Sequence, residues 1–332
     1  MVKVLPIATA AVSATLLTGG VVGAEPAPMR VGVVLKQLDN PFFVAMYEGV
    51  TAEAKQRAAH VSVRAAKSEV DLHGQATRLR ALVAGKNDCY VVNPITGTNL
   101  IAPLRRVKRP IVNIDSPVDR AAATRAGVHI RTFIGTNDFA AGRTAGAKMT
   151  SLLPRGGTVA VVGGTAGSIN SQRRLRGFEH GIRGTTVKVV AQVNADYVRT
   201  TAEVAAERIL HTHPRLSGFF AANDLMALGI ADAVRAAGKP GVKIIGLDGI
   251  AEALDAVRDG SITATVSQYP YVMGEMAVEA CVAAARGARL PARVDAPVAV
   301  VTKANVAHAS ATFPRPFRGY VDPFERILRS RP

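Results

Sequence analysis

The 332-residue chain carries a formal charge of +16, with 48% hydrophobic residues, 20% charged residues and no tryptophan. That length suits two domains of ordinary size, and the composition excludes a disordered chain and a polytopic membrane protein. The basic residues lie in short clusters such as 105–109 and 173–176 without interleaved aromatics, so they read as a solvated surface and not as a nucleic-acid site.

In chain order, residues 1–24 read as a signal peptide. Lys3 precedes an apolar run over 7–22, interrupted by Gly19 and Gly20, and Val22-Gly23-Ala24 forms a small-residue cleavage site before Glu25. The mature chain is therefore expected to be exported, to a periplasm or beyond. LTGG at 17–20 lacks the cysteine that a lipid anchor would need. Short apolar runs then alternate with longer segments of helical period. Strands are predicted over residues 30–35, 60–65, 88–92, 110–114, 128–134, 158–162, 187–193, 218–221, 242–247 and 262–267. Helices are predicted over 43–59, 74–84, 140–153, 174–183, 200–211, 225–237, 249–259 and 272–286. The alternation specifies an α/β fold of two doubly wound parallel-sheet lobes, one series ending near residue 134 and the other near 267.

Cys89 in an apolar strand and Cys281 in an apolar helix read first as small core residues, with a disulfide as the second reading. Neither they nor His211 and His213 have metal-ligand spacing. Gly163, Gly164 and Gly167 are not followed by Gly-Lys-Ser/Thr, so no nucleotide cofactor is implied.

Ligands of open parallel sheets bind beyond the carboxyl ends of the strands. The residues after those ends are Lys36, Asn40, Phe42 and Phe43, then Asn93, then Asp115, then Arg174 after a glycine-rich turn. Further on come Asp196, Tyr197 and Arg199, then Asn223 and Asp224, then Asp248, and last Gln268. Planar groups that bond in pairs suit hydroxyls, which donate and accept at once, and aromatic rings suit the C–H face of a sugar. Each residue also has a local reading. Asn40 and Pro41 can start a helix with the phenylalanines as its staple, and the aspartates can form turns. Arg174 can belong to a solvated basic helix start beside Arg173.

The motifs NPFF at 40–43, NP at 93–94, NIDS at 113–116 and R-x-x-GF at 174–178 carry a resemblance. So do the aromatic after Asp196, FAANDLMALG at 220–229, GLDG at 246–249 and ATVSQYP at 264–270. In this order they resemble the periplasmic sugar-binding proteins of the ribose, arabinose and galactose type. The resemblance covers residues 29–303 and implies a type I binding-protein fold whose lobes are joined by three crossings, near 135–137, 268–269 and 296–298. One lobe would hold 25–136 and 269–297, the other 137–268 and 298–303, followed by an extension over 304–332. The resemblance implies that Phe42 or Phe43 and Tyr197 sandwich a monosaccharide or polyol, with Asn40, Asn93, Asp115, Arg174, Asn223, Asp248 and Gln268 on its hydroxyls. Lys36 departs from ribose binders and matches the VKQ of arabinose binders, and Ser116 stands where ribose binders have arginine. The implied protein is a monomer without cofactor or catalysis that delivers sugar to an ABC permease. A signalling receptor docking on a chemoreceptor, and a glycosidase using Asp115 and Asp248, are the alternatives.

Overall fold

The computed structural model describes Met1 and residues 27–330. Residues 2–26, which hold the expected signal sequence and its cleavage site, lie outside them. The first sheet contains β1 (Arg30–Leu35), β2 (His60–Ala65), β3 (Cys89–Val92), β4 (Ile111–Ile114) and β5 (Thr132–Gly135), interleaved with α1 (Pro41–Gln56), α2 (Leu72–Ala84), α3 (Ile101–Leu104) and α4 (Arg120–Arg125). The second contains β6 (Gly157–Gly163), β7 (Val187–Asn194), β8 (Gly218–Ala221), β9 (Lys243–Asp248) and β10 (Ala264–Gln268). It is interleaved with α5 (Asp138–Leu152), α6 (Ile169–Gly181), α7 (Arg199–Thr212), α8 (Asp224–Ala236) and α9 (Ala251–Asp259). Then follow α10 (Pro270–Ala285), β11 (Arg293–Asp295), β12 (Val298–Thr302), α11 (Val306–Thr312) and α12 (Pro323–Arg329).

The strand orders are β11-β5-β4-β3-β1-β2 and β12-β10-β9-β8-β6-β7. All pairs are parallel except β10 with β12. The chain leaves the first sheet after β5, returns through α10, which packs on α1 and on β3, β4 and β5, and leaves again between β11 and β12. The central strands, such as VVL in β1 and CYVV in β3, are buried on both faces, which is why they read as unbroken apolar runs. Edge strand β7 instead alternates exposed with half-buried residues after its buried first residue, Val187, as a strand with one solvated face does.

Two boundaries differ most from expectation, and β11, β12, α11 and α12 were not expected as elements. Strand β5 begins at Thr132, not 128, and helix α6 begins at Ile169 because the Ser168 side chain accepts from Ser171 N. Arg174 therefore lies in the second turn of α6 and not at a helix start. The small helices α3 and α4 were too short for a periodic signal.

The cysteines are not free core residues. Cys89 and Cys281 form a disulfide with Cα atoms 5.7 Å apart, fixing α10 to β3 inside the first lobe. Each reads locally as a small apolar residue, and only the packing of α10 across the sheet brings them together. Because the bridge closes a 192-residue separation, its loss removes a large constraint on the unfolded chain. Replacing both cysteines by alanine should cost roughly 2–5 kcal/mol, toward the upper end, seen as a lower urea midpoint.

Glu279 of α10 is buried, and its carboxyl is pushed up to about 9 by burial, then by Asp322 and Glu53, against Arg57. Its Oε2 has no partner among the described residues when written as a carboxylate. A proton on the Glu279 carboxyl resolves that. The native carboxyl then keeps its proton up to about pH 9, whereas the unfolded one releases it near 4.5. Between those values the native state binds more protons, so this group makes stability fall as pH rises. Urea midpoints at pH 5, 7 and 9 should therefore decline less steeply in Glu279→Gln than in the parent.

Candidate ligand cleft between the sheets

The carboxyl ends of the two sheets face each other, and eleven side chains line a small cavity between them. Lys36, Asn40, Phe42, Phe43, Glu69 and Asp115 come from the first sheet's side, and Asn170, Arg174, Tyr197, Asn223 and Asp248 from the second's. The two sides touch directly. Ser116 Oγ donates to Asn170 Oδ1 at 2.8 Å, and Asn170 Nδ2 donates to the Asp115 carbonyl at 3.4 Å.

Lys36 follows β1 and is buried with its Nζ 3.2 Å from Asp115 Oδ2, 3.7 Å from Glu69 Oε2 and 5.5 Å from the Phe43 ring centroid. Burial works to lower its pKa, but Asp115 and then Glu69 outweigh it and hold the ammonium charged. Asn40 caps α1 by accepting from Phe42 N at 2.9 Å, which spends its Oδ1 and leaves its Nδ2 for other partners. Phe42 and Phe43 meet edge to face at 5.3 Å, so one ring can brace the other. Asn40 caps the helix, and both rings line the cavity.

Arg174 is set by a close crossing of α5 and α6. A Cβ at Gly142 would overlap the Arg174 carbonyl, and one at Gly177 would overlap the Phe139 carbonyl, so the helices touch backbone to backbone. That brings Arg174 Nε to 2.7 Å from Asp138 Oδ1 in the first turn of α5. Its Nη1 donates to the Ala222 carbonyl at 2.7 Å and lies 3.5 Å from Asp248 Oδ1. Burial raises the Asp138 and Asp248 carboxyls, against the pull of Arg174, and Asp224 adds to the rise at Asp248. Beneath Asp248, Asp224 accepts from Gly249 N at 2.6 Å, Ile250 N at 3.1 Å and Thr265 Oγ1 at 2.7 Å. Burial nonetheless pushes its carboxyl up to about 6.

Tyr197 lies across Gly164, where any side chain would enter the ring, and its hydroxyl is 2.8 Å from Ser168 Oγ. The glycine-rich turn after β6 thus serves an aromatic ring. Burial pushes the Tyr197 hydroxyl up to about 12, against Arg174, so it stays protonated. Asn223 caps α8, accepting from Met226 N at 2.9 Å. Asp115, Tyr197 and Asp248 have positive φ of 56°, 62° and 143°. Such backbone costs on the order of 1–3 kcal/mol per residue and is held only where packing over-determines it.

Nine of the eleven residues read from the sequence line this cavity. The other two are buried beside it. Asn93 has its Nδ2 3.7 Å from Met46 Sδ, and Gln268 Nε2 donates to Asp248 Oδ1 at 2.7 Å. Their side-chain oxygens, Asn93 Oδ1 and Gln268 Oε1, accept nothing among the described residues. Glu69 and Asn170 were missed. Glu69 follows the carboxyl end of β2, where the strand-end rule applied as well as anywhere, and Asn170 hid within the turn taken to lead to Arg174. Asp196 is exposed, and Arg199 points away to Asp232 at 2.7 Å and Glu252 at 2.6 Å.

Residues 31–289 match the periplasmic binding protein domain. The chain belongs to that family. Within it, the D-allose-binding periplasmic protein of Escherichia coli (strain K12) is 33% identical over 264 residues, 78% of this chain and 85% of that protein. The ribose import binding protein of Bacillus subtilis (strain 168) is 29% identical over 276 residues, 82% of this chain and 87% of that one. Among solved structures, an ABC transporter periplasmic solute-binding protein from Actinobacillus succinogenes 130z with bound D-allose superposes with a TM-score of 0.80 at 26% identity. That match covers 84% of this chain and 99% of the other.

Removing Arg174 would leave two buried carboxylates without their cation. Arg174→Leu should destabilise the fold by about 3–5 kcal/mol at pH 7. Because burial already raises both carboxyls, protons replace the missing cation as pH falls, and the gap in urea midpoint from the parent should narrow from pH 7 to pH 4.

Proposed function

We propose that the chain is an exported solute-binding protein of an ABC-type importer, which captures a monosaccharide or related polyol between its lobes and presents the closed form to a membrane permease. The observation that carries this reading is the cavity itself. Both sheets line it with amides, carboxyls, one guanidinium and aromatic rings, the mixture of groups found in sites for small polar ligands. The cations of the site are already paired with its carboxylates, so a neutral ligand that bonds through hydroxyls fits better than an ion. Names of the relatives support the same class, since they are described as binding D-allose and ribose.

In this reading Phe42 or Phe43 and Tyr197 hold the ring faces, and Lys36, Asn40, Glu69, Asp115, Asn170, Arg174, Asn223 and Asp248 serve the hydroxyls. Asn93 and Gln268 offer unpaired oxygens from the layer behind. A ligand that touches both lobes binds the closed form better than the open one, and that difference drives closure about the three crossings. The sugar leaves unchanged, and the protein acts as a monomer in the periplasm after cleavage near Ala24. A chemoreceptor would read the same closed surface as a permease.

The test is a thermal-shift and calorimetric screen with D-allose, D-ribose, L-arabinose and myo-inositol. A sugar at 100 times its dissociation constant should stabilise the fold by about 2.7 kcal/mol. Asp115→Asn, which keeps a residue tolerant of positive φ but removes the charge, should weaken that sugar by about tenfold or more. No shift with any sugar or polyol would defeat the reading.

A further inference from the structure

The chain beyond Lys303 does not stay on one lobe. Helix α11 packs on α9 and β12 of the second lobe, where Arg258 Nη2 donates to Ser310 Oγ at 2.7 Å. Helix α12 packs on α10 of the first lobe and buries Phe324 completely. Between them Arg315 forms a two-pronged pair with Glu275 of α10, at 3.1 and 2.6 Å, and its guanidinium lies 4.9 Å from the centroid of the Tyr271 ring. Tyr271 and Glu275 lie within the first two turns of α10, just past the β10–α10 crossing. Phe317 and Tyr320 join the apolar core on the way.

We propose that the C-terminal segment is a strap, a fourth tie between the lobes, which limits how far they part and biases the sugar-free protein toward the closed form. This rests on the two-lobe closure described above. The strap is short. Only Phe313 and Pro314 separate the last residue of α11 from Arg315, and three extended steps span about 10–11 Å at most. Proline also fixes its own backbone angle, which stiffens the span. Both ends are anchored, and Arg315 N donates to the Thr312 carbonyl at 2.8 Å, so a sizeable rotation of one lobe on the other must open that turn and then strain the span or detach an anchor. The Arg315–Glu275 pair is half-exposed and weak alone. The buried Phe324 and the Glu279–Asp322 contact make detachment costly. A restricted open form raises the population that binds ligand competently, and so tightens apparent affinity.

The experiment needs no ligand. Nitroxide labels on Val70→Cys and Val198→Cys, both exposed and each adjacent to a cleft residue on its own lobe, report the distance across the cleft by pulsed electron resonance. In the chain ended after Lys303, the sugar-free distance distribution should shift to longer values than in the full chain. Should truncation prevent folding, full-length Arg315→Leu serves instead, with an expected broadening toward longer distances. Sugar-free distributions that match the full chain, in whichever variant folds, would overturn the strap. The same labels with added D-allose separate the two ideas: a full chain that does not respond to any sugar of the screen defeats the closure reading, whatever the strap comparison shows.

Discussion

A guanidinium buried where α5, α6, β8 and β9 converge organises the second half of the cleft. Arg174 could not be placed there without partners, because an isolated buried charge costs far more than a fold of this size has to spare. Asp138, the Ala222 carbonyl and Asp248 supply them, and each comes from a different element. Holding the three in place requires the glycine-lined crossing of α5 and α6, the end of β8 and the Asp224 clamp under β9. The same design recurs across the cleft, where Lys36 is held by Asp115 and Glu69.

This arrangement has a chemical consequence. Two cations, Lys36 and Arg174, face the carboxyls of Glu69, Asp115, Asp138, Asp224 and Asp248. Burial pushes several of those carboxyls upward, so the site moderates its own charge instead of importing a counter-ion. A polyhydroxyl ligand exploits such a site well, because each of its oxygens can take a proton from one group and give one to another. The strained backbone at Asp115, Tyr197 and Asp248 belongs to the same economy. Local preference is given up where these three side chains must aim at one small space.

The first lobe is reinforced differently. A disulfide holds α10 to β3, and the C-terminal segment covers the outer face of α10. Helix α10 therefore follows the first sheet as one rigid body.

The strands and helices, the two α/β series and most of the cleft were legible in the amino-acid sequence. Buried parallel strands leave apolar runs, and most residues that line the cavity follow their carboxyl ends within a few positions. Lys36, Asn40, Asp115, Tyr197, Asn223 and Asp248 could be named for that reason. Glu69 and Asn170 lie four and seven residues beyond their strand ends, among polar turn residues that nothing local distinguishes. What only the tertiary structure decided were relations between distant segments: the Cys89–Cys281 bridge, the partners of Arg174, and the return of the C-terminal segment to the first lobe. Each depends on which surfaces meet after the sheets form. A sequence records the period of burial along one element, but not which face of another element will lie against it.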